Sequence, residues 1–313
     1  MALALCTLSH SPLMGVNQPP PEVVAEVDAA IAEARAAVEK FAPELVVLFG
    51  PDHYNGVFYD MMPPFCLATA AESVGDWKTP AGPLNVDHAA AAGIARSVLD
   101  DGIDLAVSER FYVDHGIAQP IQVLFGAIDA VPVVPVFINS VAVPLGPLNR
   151  VRLLGEAVGK AVADLGKRVL FVGSGGLSHD PPVPQLEGAP PEVAERLIAG
   201  RNPSAGATAA RRQGVLAAAR ALTEGTAAIA DLAPDWDHKV MAMLADGRVA
   251  EFDAWTPQQF AADAGNSAHE VRNWIAAYAA LGTAGPYSVT SSFYRPLPEW
   301  ICGFGVTTAL TDL

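Results

Sequence analysis

The sequence predicts an α/β protein with a central, mostly buried sheet flanked by helices and a helical layer toward the C-terminus. Two observations carry this. Short runs rich in Val, Leu and Ile alternate with Ala-rich stretches whose apolar residues recur at helical spacing, and alternation of that kind builds a sheet with helices on its faces. The 313 residues are 51% apolar and 17% charged, which is enough to bury a sizeable core.

The elements follow in order. Leu3 to Leu8 reads as a first buried strand, and Pro20 to Phe41 as the first helix. Glu44 to Phe49 is a second strand, closed by Gly50 and Pro51; Val86 to Leu99 is a helix, and Asp104 to Ser108 a third strand. Ile121 to Ala130 is helical, Val131 to Phe137 a fourth strand, Pro147 to Leu165 a helix, and Arg168 to Gly173 a fifth strand ending among glycines. After Gly176 the pattern changes. A Pro/Gly-rich stretch from His179 to Pro191 leads into helices at Ala207 to Thr223, Trp236 to Leu244 and Ala268 to Leu281, with a late strand expected at Tyr287 to Phe293. With no internal repeat and no low-complexity linker, residues 1–313 are expected to form one domain.

Nineteen Lys and Arg against 34 Asp and Glu leave a net charge of −15, with no basic run. That balance excludes nucleic acid and anionic lipid as partners. No stretch approaches about 18 uninterrupted apolar residues, Val131 to Ile138 being broken by Pro132 and Pro135, so no membrane span is expected. The apolar start, Met1 to Leu8, lacks a basic lead and ends in Ser9-His10 rather than a small-residue cleavage site. Three cysteines, Cys6, Cys66 and Cys302, form neither an even framework nor a Cys-x-x-Cys pair. A reduced, cytoplasmic protein is expected, and its low charge content predicts subunit contacts in a homo-oligomer.

Four of the seven histidines share a position in this scheme. His10 follows the first strand, His53 the second in Gly50-Pro51-Asp52-His53, His115 the third in Val113-Asp114-His115-Gly116, and His179 the fifth in Gly175-Gly176-Leu177-Ser178-His179. Open α/β sheets bind ligands outside the carboxyl ends of their strands, so four imidazoles are expected to converge there. His88 and His238 fall in helical patterns and read as surface or packing residues. A histidine cluster of this kind suits zinc, iron or manganese, or acid/base work without a metal. The absence of cysteine from these loops weakens a structural zinc site, and two His with one carboxylate would leave open positions suited to non-haem Fe(II). Spacing alone does not choose the carboxylate among 34 acids.

Five motifs carry a more specific signal: Cys6-Thr7-Leu8-Ser9-His10-Ser11-Pro12, Leu48-Phe49-Gly50-Pro51-Asp52-His53-Tyr54-Asn55-Gly56, Val113-Asp114-His115-Gly116, Gly173-Ser174-Gly175-Gly176-Leu177-Ser178-His179, and Phe293-Tyr294-Arg295-Pro296-Leu297-Pro298-Glu299-Trp300. In these the chain resembles the class III extradiol ring-cleaving dioxygenases nearly end to end. The resemblance implies Fe(II) held by His10, His53 and Glu270, with His179 as the base that takes a catechol proton and His115 as the acid that delivers one when the O–O bond breaks. It implies O2 and a small 3-substituted catechol as substrates, most of all 3-(2,3-dihydroxyphenyl)propionate and its cinnamate analogue. It requires no organic cofactor.

Three assignments have local rivals. Ser267-x-x-Glu270 ahead of an apolar run is a capping-box pattern, and Glu251 is an alternative carboxylate. Asp52 and Asp114 read either as partners of the histidines they precede or as solvated loop acids. A substrate carboxylate needs a local cation in so acidic a protein, and Arg295 is the candidate. The glycines at 173, 175 and 176 do not form a phosphate loop, because Ser178 stands where Gly-x-Gly-x-x-Gly needs glycine and no Gly-Lys-Ser/Thr follows. Two other readings remain open, a zinc-dependent hydrolase on a similar scaffold and a non-catalytic binding relative.

Overall fold

The computed structural model describes residues 2–312. Its elements are β1 (Leu3–Leu8), α1 (Pro21–Phe41), β2 (Leu45–Gly50), β3 (Phe65–Ala68), β4 (Ala71–Val74), β5 (Ala81–Pro83), α2 (His88–Asp100), β6 (Ala106–Ser108), β7 (Phe111–Val113), α3 (His115–Phe125), β8 (Val133–Ile138), α4 (Leu148–Ala163) and β9 (Val169–Ser174). The C-terminal third adds α5 (Pro191–Ala199), α6 (Ala205–Thr223), α7 (Pro234–Ala245), α8 (Pro257–Ala264), α9 (Val271–Gly282), β10 (Tyr287–Leu297) and β11 (Cys302–Thr311). None of the described helices is long and apolar enough to cross a membrane.

Eight strands form a mixed sheet in the order β10-β11-β1-β9-β2-β8-β3-β6, and β5-β4-β7 form a small second sheet. The four central strands, β1, β9, β2 and β8, are parallel and buried at every position, as expected where helices cover both faces. Strand periodicity then sorts the core. Leu3, Leu5, Val47 and Phe49 face α2, α4, α7 and α9, whereas Ala4, Cys6, Leu8, Val46 and Leu48 face α1, α3 and α6.

Helix α9 is buried from Val271 to Leu281, sandwiched between the sheet and α4. Two glycines of α4 make room for it: a Cβ at Gly155 or Gly159 would lie 2.2 or 2.4 Å from the carbonyl oxygen of Ala276 or Ala280. An all-round apolar helix of this kind belongs inside a fold, and its fixed position determines where its first residues point.

The structure adds β3, β4, β5, α5 and α8 to the sequence reading and departs from it at three further places. The helix expected at Ile121 starts at His115, because Asp114 caps it by accepting the Gly116 N–H, and it stops at Gly126, whose φ is 86°. The strand directly before His115 is β7 of the small sheet, not the third strand of the main one. The late strand extends from Tyr287 to Leu297 and pairs with β11, which the sequence reading omits; the hairpin closes the sheet against β1.

Candidate metal centre

His10 and His53 leave the carboxyl ends of the parallel strands β1 and β2, Ser174 ends β9 between them, and His179 lies five residues further on. His115 is the first residue of α3, and Glu270 immediately precedes α9. The four imidazoles and Glu270 converge, all with residue exposures under 10%. Glu270 is at the centre: Oε1 is 3.0 Å from His53 Nε2 and 3.2 Å from His179 Nε2, while Oε2 is 3.4 Å from His10 Nε2. Gly175 permits this, since a Cβ there would lie 2.4 Å from Glu270 Oε2 and its φ of 103° suits glycine.

Each ring is held by its Nδ1, which leaves Nε2 to face inward. The Ser174 hydroxyl donates to the Gly116 carbonyl at 2.5 Å and so accepts from His10 Nδ1–H at 2.9 Å. His53 Nδ1 lies 3.1 Å from Asp114 Oδ2, His179 Nδ1 2.9 Å from the Leu177 carbonyl, and His115 Nδ1 2.6 Å from Asp76 Oδ2. A carboxylate or carbonyl acceptor at Nδ1 selects the tautomer whose lone pair sits on Nε2. His115 stacks on His53 with centroids 4.5 Å apart, and its buried Nε2 has no hydrogen-bond partner.

The electrostatics suit ligand chemistry. Burial pushes His10 down to about 3, so its imidazole is neutral at pH 7. Burial alone would raise Glu270, but the surrounding imidazoles of His179, His10 and His53 outweigh it and hold the carboxyl well below the usual range. Asp114, opposed by burial in the same way, is kept ionised by His53 and His115. It also accepts the backbone N–H groups of His53 and Gly116, each at 2.8 Å. Asp52 accepts the N–H groups of Asn55, Gly56 and Val57 and shapes the turn after His53. Neither acid is a solvated loop residue.

Glu270 does not serve as a capping-box residue. The Ser267 side chain makes no cap hydrogen bond, and the Glu270 carboxylate turns toward the histidines instead. Glu251 lies elsewhere, on the turn Val249–Ala254, exposed and paired with Arg248 at 3.3 Å. Arg295 does not join the cluster either: it is on β10 with its guanidinium 3.0 Å from Glu26, outside the cavity. His88 is exposed, and His238 packs on Tyr294.

Above the cluster lies a cavity of about 580 Å³ lined by all four histidines, Glu270, Trp77, Trp300 and the prolines at 181, 182 and 184. That is a typical small-molecule volume. Sequence reasoning missed Asp76, Ser174 and the arginines that α5 and α6 bring to this cavity. No local motif marks Asp76, which reaches His115 from the β4–β5 loop.

His10, His53 and His115 can bring ring nitrogens within 4.8 Å of one another, and His10 and His53 also share Glu270. Nitrogen donors and one carboxylate, buried beneath a ligand-sized cavity, define a metal-dependent enzyme. Residues 4–305 match the family described as the catalytic LigB subunit of aromatic ring-opening dioxygenase, and the chain belongs to that family. It is thus a ring-cleaving dioxygenase. Curated relatives include proteins of Rhodococcus sp. (63% identical over 310 residues) and Rhodococcus jostii strain RHA1 (60% over 310 residues), each alignment covering 99% of both chains. A third, from Azotobacter vinelandii, is 51% identical over 309 residues with the same coverage. All three are named 2,3-dihydroxyphenylpropionate/2,3-dihydroxicinnamic acid 1,2-dioxygenase.

Proposed function

We propose that this enzyme opens the ring of 3-(2,3-dihydroxyphenyl)propionate and its cinnamate analogue beside the two hydroxyls, using O2 and an Fe(II) ion held by His10, His53 and Glu270. The observation that carries the reading is the shared anchoring of four imidazoles through Nδ1 around one buried carboxylate, at which His10, His53 and His179 direct Nε2. The residues fit the ion. Two imidazole nitrogens and one carboxylate offset one of the two charges of a divalent ion and leave coordination positions free. When bound, Fe(II) supplies the redox chemistry that O2 needs to react with a closed-shell ring.

The protein's own groups supply position and protons. The buried histidines keep bulk water from the reacting atoms, and the cavity holds the ring over them. His179, with Nδ1–H donated to the Leu177 carbonyl, offers the Nε2 lone pair to a catechol hydroxyl and takes its proton. Asp76 holds His115 at two points, through Nδ1 and through the backbone N–H at 2.8 Å. The two contacts aim its Nε2 into the cavity, from where a protonated ring would give the Nε2 proton to the departing oxygen as the O–O bond breaks. Asp76 and Asp114 act through the histidines they touch and are positioning residues.

We further read residues 1–313 as one catalytic domain, a reading supported by the pairing of β1 with β11, from opposite ends of the chain. The three buried free cysteines favour the reducing cytoplasm, and the low charge content favours a homo-oligomer. The test of function is turnover of a panel of substituted catechols by anaerobically Fe(II)-loaded protein. A yellow ring-opened product from the two named substrates is expected, and its absence with all catechols would overturn the proposal.

A further inference from the structure

The cavity concentrates positive charge in a protein that has little. Of the 19 Lys and Arg in a chain of net charge −15, Lys78, Arg196, Arg211 and Arg212 line this one space. Its acids are Asp76 and Glu270 alone, and both are engaged with histidines. Among the described residues, Arg196, Arg211 and Arg212 form no ion pair, whereas Arg295 is paired with Glu26. Cations gathered without counter-charges around a cavity attract an anion from solution.

Arg211 is the one tied to the metal cluster. From α6 its Nη2 donates to the backbone carbonyl of His53 at 3.0 Å, which fixes the guanidinium beside a proposed ligand and leaves its other N–H groups free. Arg212, next along the helix, places its guanidinium 5.9 Å from the centre of the Trp77 ring. We infer that Arg211 binds the carboxylate carried on the substituent of the catechol ring, in a subsite whose rim Arg196 and Arg212 make electropositive. The inference rests on the ring-cleavage reading and assigns to Arg211 the role that Arg295, turned onto Glu26, is not placed to fill. A guanidinium matches a carboxylate with two parallel hydrogen bonds, which makes it a selector of substituents.

The test compares 3-(2,3-dihydroxyphenyl)propionate with 3-propylcatechol, which has the same length without the charge, by O2 uptake with Fe(II)-loaded protein. Arg211→Gln is expected to lower the ratio of kcat/KM for the acid to that for the neutral catechol by about 10- to 150-fold, chiefly through KM, the range for a hydrogen bond to a charged group. Because both rates come from one preparation, a partly unfolded variant leaves the ratio unaffected. Arg211→Lys keeps the charge and is expected to lose less of the ratio, while Arg295→Gln keeps the wild-type value. An equal loss on both substrates would show that Arg211 serves only the His53 turn, and collapse of the ratio in Arg295→Gln instead would return the role to that residue; either overturns the inference while leaving ring cleavage intact. Wild-type protein that consumes O2 with neither catechol would overturn the ring-cleavage reading itself.

Discussion

Asp76 and His115 are joined twice: Asp76 Oδ2 lies 2.6 Å from His115 Nδ1, and Asp76 Oδ1 accepts the His115 backbone N–H at 2.8 Å. The pair fixes both the ring and the first turn of α3, leaving the buried Nε2 without a partner at the floor of the cavity. Asp76→Asn keeps the size but not the charge. We predict that kcat falls about 10- to 100-fold, the usual effect of losing an outer partner of a reacting histidine, while iron content, measured by metal analysis, stays at the wild-type level. Loss of iron would show that Asp76 supports the metal and not the proton donor.

Replacing His115 or His179 by Gln should leave iron bound and slow turnover by roughly 10²- to 10⁴-fold, the range for a general acid or base. The pH profiles then separate the two. A base must be neutral, so its activity is lost as pH falls; His179→Gln should therefore abolish the acidic limb of the kcat/KM profile. An acid must be protonated, so its activity is lost as pH rises, and His115→Gln should abolish the alkaline limb. An iron-free variant at either position would make that residue a ligand.

Among ligands, His10→Ala, His53→Ala and Glu270→Ala should each lose iron, whereas Glu251→Ala, altering an exposed residue paired with Arg248, should retain both iron and activity. Metal analysis of the four variants decides the carboxylate. Full iron in Glu270→Ala with loss in Glu251→Ala would reverse the assignment.

The three thiols should be inert in the folded protein. Burial pushes Cys6 and Cys66 up to about 12 and raises Cys302 further. A thiolate forms only near and above its pKa, so at pH 8 the reactive fraction lies below that of a free cysteine. A thiol reagent should titrate none of the three within minutes in buffer and all three in denaturant. Rapid labelling of native Cys302, which borders the cavity, would mean that the cavity floor opens.

Convergence of the histidines was legible in the sequence because a parallel sheet puts its post-strand loops at one end, and His10, His53 and His179 follow parallel strands. Glu270 was less so: Ser267-x-x-Glu270 looks like a helix cap, and only the fixed placement of α9 between α4 and the sheet turns the carboxylate inward. Asp76 left no trace, since it lies 39 residues before His115 in a loop between strands of four and three residues, too short to show a period. Strand β11 was missed for a related reason. Gly303 and Gly305 weaken its strand signal, yet both are needed: a Cβ at Gly303 would lie 2.0 Å from Asp237 Oδ2, and one at Gly305 2.9 Å from the Trp274 ring.

Ring cleavage at a redox-active ion held by two histidines and a glutamate is tested most directly by O2 uptake after metal exchange. Apoprotein loaded anaerobically with Fe(II) or with Zn(II) is mixed with 3-(2,3-dihydroxyphenyl)propionate in an oxygen electrode. The iron form should consume one O2 per catechol as the yellow product appears, lose activity on aerobic storage and recover it with Fe(II) and a reductant. Zinc, which has no redox chemistry, should give none of this, and an iron-free zinc form with full activity would contradict the account.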